Sequence, residues 1–276
     1  MLRAKRTIVI ISLALAGCRG PIHVPTATPE TVSVRILATT ATYPLLQDLA
    51  AGYIRPDLLL AVSSAAVNWE TIYNELRAGE TPYALTTYAP PSAGLWRAPI
   101  GQDGIAIIVH ATNPISDLTL EELALIFEGR IKTWAEVGGA DFPVTIVSRE
   151  TGDDTRLALE MLVPGSHRVP PSARLVLSSQ SMIDVVGSLP GAVGYVSMAQ
   201  VTSPVRAVPI HVSDTAAAYP PTPATVNAGN YPLRTPILIV GLEPPAADSV
   251  YYQWFAWMQS EEGQAIVGQA YGMLEF

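Results

Sequence analysis

The segment Arg149-Glu150-Thr151-Gly152-Asp153-Asp154-Thr155 carries the densest chemistry in the chain. Arg149 presents a planar fork of donors that suits an oxyanion. Thr155 and the N–H groups of a following helix would add further donors and a positive dipole end. The adjacent carboxylates pull the other way. A carboxylate about 4 Å from a bound anion opposes it by about 4 kcal/mol at an effective dielectric near 20, or about a thousandfold in affinity. Asp153 therefore has three readings: a helix cap that points away, a partner for Arg149, or an internal anion facing the site. Two other hydroxyl-rich stretches, Thr39-Thr40 and Ser63-Ser64, read as turns just before helices. Their hydroxyls suit anion binding and helix capping equally, and one turn can do both.

Enzyme chemistry has less to stand on. His23, His110, His167 and His211 are scattered, and none pairs at metal-ligand spacing. His110 ends an apolar strand and reads as structural. The Asp153-Asp154 pair suits a solvated helix start better than a cation site. No Gly-x-Ser-x-Gly elbow, Walker loop or dinucleotide fingerprint occurs. The expectation is a binding protein with no cofactor and no metal.

Cys18, the chain's single cysteine, has a different context. Arg3, Lys5 and Arg6 precede an apolar run from Thr7 to Leu15, and Leu15-Ala16-Gly17-Cys18 follows. The run is short for a spanning helix, which needs about 20 residues. The order of charge, apolar run and small residues is that of a processing segment. It resembles the lipobox of bacterial lipoproteins. In that family the leader is cut before the cysteine, whose thiol carries diacylglycerol. Residues 1–17 are thus expected to be a signal peptide. Residues 18–30 would be the lipidated Cys18 and a proline-containing tether, placing the protein on the extracytoplasmic face of the membrane. Loss of the leader leaves 13 basic against 24 acidic residues, a net charge of −11. Such an acidic body excludes nucleic acid as a partner, because phosphate-backbone binding needs a basic face.

The remaining chain, 49% hydrophobic and 14% charged overall, is long enough for one large domain or two lobes. Alternation of Val32, Val34 and Ile36 with polar residues predicts a strand over 31–37, and Leu45 to Tyr53 predicts a helix. The pattern repeats with a strand at 58–62, a helix at 69–78 ended by Gly79, and a strand at 83–87. Further strands are expected at 105–110, 144–148, 192–196 and 237–240. Helices are expected at 119–127, 156–162, 181–188, 249–259 and 260–271. Trp254, Phe255, Trp257 and Met258 read as helix core. Such alternation points to an α/β fold with parallel strands.

Several segments together resemble the phosphate-type solute-binding proteins of ABC importers. Gly129-Arg130-Ile131-Lys132-Thr133-Trp134-Ala135-Glu136-Val137-Gly138-Gly139 is similar to that family's tryptophan turn, and Leu118-Thr119-Leu120-Glu121-Glu122-Leu123 precedes it as it does there. Ile146-Val147-Ser148-Arg149 with Gly152 and Thr155 resembles the family's Arg–Gly–Ser–Gly–Thr segment. Gly191-Ala192-Val193-Gly194-Tyr195 and Tyr231-Pro232-Leu233 resemble its late strand and return segment. The likeness implies an α/β, two-lobed type II periplasmic-binding fold. Each lobe would be a mixed, mostly parallel sheet flanked by helices. The first lobe would take about 31–104 plus 206–276, and the second about 105–205, with the ligand in the cleft. It also implies a monomer that hands a small anion to an ABC permease. Thr39, Thr40, Ser63, Ser64, Arg149, Asp153 and Thr155 would line the site. Tyr88 aligns with the family's proton-accepting Asp, which a tyrosine of pKa about 10 cannot replace as an anion. Ala38 and Ala65-Ala66 stand where the family has glycines, and Asp153-Asp154 where it has Ser-Gly. The alternative is the same fold with a degenerate anion site, binding another ligand or acting as a sensor or scaffold.

Overall fold

The computed structural model describes residues 29–163 and 169–274. The expectations for the leader, Cys18, the tether up to residue 28, His23 and His167 lie outside the described residues.

The chain opens with β1 (Glu30–Thr39), α1 (Tyr43–Gly52), β2 (Leu58–Val67), α2 (Trp69–Ala78) and β3 (Tyr83–Thr86). β1 lies between β2 and β3 and pairs in parallel with both. Parallel neighbours need crossover connections, and α1 and α2 provide them. The long strand β4 (Trp96–His110) then leads to β5 (Leu118–Thr119), α3 (Leu120–Phe127), β6 (Thr145–Arg149), α4 (Asp154–Leu162), β7 (Arg174–Val176), α5 (Ser179–Ser188) and β8 (Ala192–Ser197). β6 pairs in parallel with β7 and β8. The chain finishes with β9 (Val205–Ala207), β10 (Ile210–His211), α6 (Pro223–Asn227), β11 (Arg234–Gly241), α7 (Val250–Met258) and α8 (Glu261–Val267).

The main sheet runs β2-β1-β3-β11-β4-β8-β6-β7, with β9 beside β4. It is two parallel groups bridged by two antiparallel strands. β4 pairs with β11 through Gly104 and with β8 from Ile105 onward. β4 and β11 are thus the crossing strands between a first lobe, around β1, and a second, around β6. β9 pairs antiparallel with the end of β4, and β10 pairs in parallel with β5.

Burial explains the sequence patterns. Ile105 to Val109 in β4 are all buried, the mark of a central strand covered on both faces. Trp134 is fully buried, and its Nε1–H donates to the Gly191 carbonyl at 3.0 Å. This contact ties the tryptophan turn to the start of β8. Helix starts are capped by side chains: Asn68 for α2, Ser178 for α5, Ser249 for α7 and Ser260 for α8. Thr119 and Glu122 form a reciprocal capping box on α3.

One predicted turn is corrected. Ser63 and Ser64 lie inside β2, which runs on to Val67 and pairs with β1 over ten residues. β2 is an edge strand of alternating half-buried and exposed residues. The ladder to β1 outweighs the local turn preference of serine. The turn before α2 lies at Asn68 instead.

Candidate functional site

The ends of β1, β3 and β6 converge between the lobes, each followed by a turn. At the end of β6, Tyr195 of β8 fixes the backbone. Its hydroxyl oxygen accepts from the Arg149 N–H at 3.1 Å and lies 2.9 Å from the Ser148 hydroxyl. Phe127 packs edge-on against the Tyr195 ring at 5.6 Å. Burial pushes the Tyr195 hydroxyl well above the usual phenol range, so it stays a neutral hydroxyl.

Arg149 is 3% exposed. Its Nε and Nη2 both donate to Asp153 Oδ2, at 2.9 and 2.6 Å. Nη2 also reaches Thr40 Oγ1 across the cleft at 2.6 Å. Among the described residues its Nη1 is buried without a partner. Asp153 serves twice: Oδ2 holds Arg149, and Oδ1 accepts from the Arg156 N–H at 3.0 Å as the N-cap of α4. Two of its three possible roles, cap and arginine partner, are therefore met together. Burial and the neighbouring Asp154 push the Asp153 carboxyl up, and Arg149 offsets this only in part.

Asp154 is fully buried and points to the other lobe. Its Oδ2 accepts from the Thr87 N–H at 3.0 Å, the Thr87 hydroxyl at 2.7 Å and, more loosely, the Thr86 hydroxyl at 3.4 Å. Thr155 Oγ1 sits 3.4 Å from the other Asp154 oxygen. More contacts close the cleft. Asn68 Nδ2 donates to Glu150 at 3.0 Å, Gln200 Nε2 to the Thr40 carbonyl at 2.8 Å, and Glu70 N–H to the Gly152 carbonyl at 3.3 Å. Gly152 has φ +88°, a left-handed conformation that calls for glycine, and the Glu70 side chain packs closely against it. A cavity of about 410 Å³ opens beside the cluster, bordered by Thr40, Tyr43, Ala66, Ser178, Gln180 and Gln200.

Of the residues selected from the sequence, the structure brings together Thr40, Arg149, Asp153 and Thr155. Thr39 is buried, its hydroxyl 3.0 Å from that of Thr42, which in turn donates to the Leu85 carbonyl. Tyr88 adjoins the cluster, but its ring packs edge-on against Trp69 at 5.8 Å. Ser64 lies three residues before the end of β2, roughly 10 Å along the strand, and Ser63 lies farther back. Thr86, Thr87, Asn68 and Gln200 were missed. Asn68 was findable, since an Asn directly before a helical period is a cap signal. Thr87 carried no such signal, because its role depends on Asp154 arriving from the other lobe. Among the described residues no cluster of three or more His, Cys, Asp or Glu could hold a metal.

Comparison with known proteins places this geometry in a family. The model of the PBP superfamily domain, PBP_like_2, matches residues 24–262. The chain is 31% identical over 100 residues to the phosphate-binding protein PstS of Bacillus subtilis, covering 36% of this chain and 33% of that protein. Against PstS of Pseudomonas aeruginosa it is 26% identical over 209 residues, covering 70% of this chain and 62% of the relative. The matched span thus reaches less than two thirds of these relatives' lengths. Among solved structures, a Clostridium perfringens protein assigned as a phosphate ABC transporter substrate-binding protein, with bound phosphate, superposes with a TM-score of 0.79. Its identity is 28%, and the match covers 88% of this chain and all of that one. An ABC-type phosphate transport receptor from Vibrio cholerae gives 0.70 at 28% identity, covering 87% of this chain and all of that one. The mixed α/β sheet, the two crossing strands and the match over most of its length together show that the chain belongs to the PBP superfamily.

Proposed function

We propose that this protein is an extracytoplasmic solute-binding protein that captures phosphate or a related small oxyanion for an ABC importer. The observation that carries the reading is the convergence of anion donors between the lobes: the Arg149 guanidinium, the Thr40 hydroxyl, and the Thr87 hydroxyl and N–H. A buried arginine with aligned hydroxyl and backbone donors recognises an oxyanion by geometry, which an acidic protein requires because its overall field repels the ligand. The PstS relatives and the phosphate-bound structure support the choice of phosphate. Thermal unfolding with phosphate, sulfate, molybdate and amino acids tests it. A ligand at 100 times its Kd stabilises the fold by about 2.7 kcal/mol, and phosphate should give the largest shift. Absence of any oxyanion shift, in the wild type and in a variant without the Asp154 carboxylate, would remove the reading. A second reading, a sensor or scaffold with a degenerate site, draws on the two carboxylates that hold the donors. It would show a shift with a ligand other than phosphate or with none.

The protein is proposed to act as a monomer, leashed to the membrane by lipid on Cys18. The lipobox-like Leu15-Ala16-Gly17-Cys18 supports this. No helix among the described residues is long and apolar enough to cross a membrane. Cys18→Ser should move the protein from the membrane fraction to the soluble one, or leave the leader uncut. Normal cleavage with unchanged membrane retention would exclude the anchor. One acyl chain binds membranes only marginally, so firm retention needs more than one.

A further inference from the structure

We propose that Asp154 is a tethered surrogate ligand: its carboxylate bridges the lobes in place of an external anion, holds the cleft closed, and sets the affinity of the site by competing for the same donors. This rests on the oxyanion reading above and names the residue that regulates that site.

Asp154 and its partners belong to different lobes, α4 on one side and the turn after β3 on the other. Oδ2 accepts from three donors, two hydroxyls and one N–H, all of the first lobe. That is the coordination an oxyanion oxygen would take. An acidic residue in the first turn of a helix ordinarily gains from the dipole while remaining in water. Asp154 is fully buried instead and turned away from its own helix toward the opposite lobe. The neighbouring Arg149–Thr40 bond spans the same gap. Arg149 is held by Asp153 alone of the two carboxylates, Asp154 being turned to Thr87, and among the described residues Arg149 Nη1 is buried and unpartnered. A donor set completed by an outside anion would engage that group, whereas the internal carboxylates leave it idle.

Tethering matters because the carboxylate competes intramolecularly, at an effective concentration set by closure of the lobes. An external ligand must therefore part the Asp154–Thr87 contact before it can bind. Closure, ordinarily driven by ligand, would be present beforehand.

Small-angle scattering and calorimetry with inorganic phosphate, on the wild type, Asp154→Gly and Asp154→Asn, test the latch. In phosphate-free buffer the wild type should already have the radius of gyration of the closed form. Asp154→Gly should be expanded and should contract on adding phosphate. Removing one charge about 4 Å from a bound anion should strengthen phosphate binding by about 100- to 1000-fold. Asp154→Asn keeps an acceptor for Thr87 and the shape of the helix start while dropping the charge. It should gain affinity too, and it serves if the glycine variant folds poorly. A wild type that contracts on phosphate as much as Asp154→Gly, or variants that bind phosphate measurably but no more tightly than the wild type, would overturn the proposal. Variants that expand yet bind neither phosphate nor sulfate would leave the latch standing and sink the oxyanion reading instead.

Discussion

Arg149→Met is expected to unfold about 3–5 kcal/mol more easily than the wild type near neutral pH, because it leaves a buried carboxylate without its cation. Asp153 and Arg149 are 2% and 3% exposed at the side chain, and the guanidinium is the only cation touching that carboxylate among the described residues. Burial already raises the Asp153 carboxyl, and Arg149 is what restrains the rise. Without the arginine the folded-state pKa moves further above the unfolded value of about 3.9. A carboxyl with a raised folded pKa costs stability above its unfolded pKa, and the cost disappears as the pH falls toward that value. The deficit of Arg149→Met should therefore shrink on acidification. Adding Asp153→Asn should recover much of the loss at neutral pH, since the amide can still cap α4 and carries no charge. Urea unfolding of the single and double variants measures this. A single variant within 1 kcal/mol of the wild type would show that the pair contributes no more than an exposed one.

Asp103 should make the protein more stable as the pH falls from about 7 toward about 4, by up to about 4 kcal/mol at about 1.4 kcal/mol per pKa unit. Burial raises its carboxyl from 3.8 to about 7; hydrogen bonds from Ser197, Gly104 and Met198 offset this in part, and the charge of Asp154 adds to it. Between those two values the folded state binds more protons than the unfolded state, so stability is lost as the pH rises. The residue sits where β4 changes partner from β11 to β8, opposite Thr235, and its Oδ1 has no hydrogen-bond partner among the described residues. Asp103→Asn mimics the protonated form. It should be more stable than the wild type above about pH 7, with the advantage fading toward about pH 4. Parallel stability–pH curves for the two proteins would sink this assignment. Comparing the variant with the wild type matters, because other carboxylates destabilise the fold on protonation.

Much of this was legible in the chain itself. The tryptophan turn, the Arg149 segment and the alternation of strands and helices pointed to the architecture that the fold and family comparisons show. Local chemistry also decided the capping box at Thr119 and Glu122 and the proximity of Arg149 to Asp153, since such contacts span only three or four residues. Ser63 and Ser64 went the other way. Serine in a short polar pair signals a turn locally, yet ten paired positions with β1 carried the strand straight through them.

The division is sharpest at Asp153-Asp154. The sequence by itself determined that two carboxylates stand beside an arginine at a helix start, and that one of them would suit the cap. Only the tertiary structure decided that they part ways, Asp153 to Arg149 and the Arg156 N–H, Asp154 to Thr87 of the other lobe. Asp153 is the N-cap, with extended backbone, and Asp154 is the first residue of α4, so their side chains leave the helix start in different directions. Which environment the second one meets depends on a strand end 67 residues away in sequence, and no local preference encodes that.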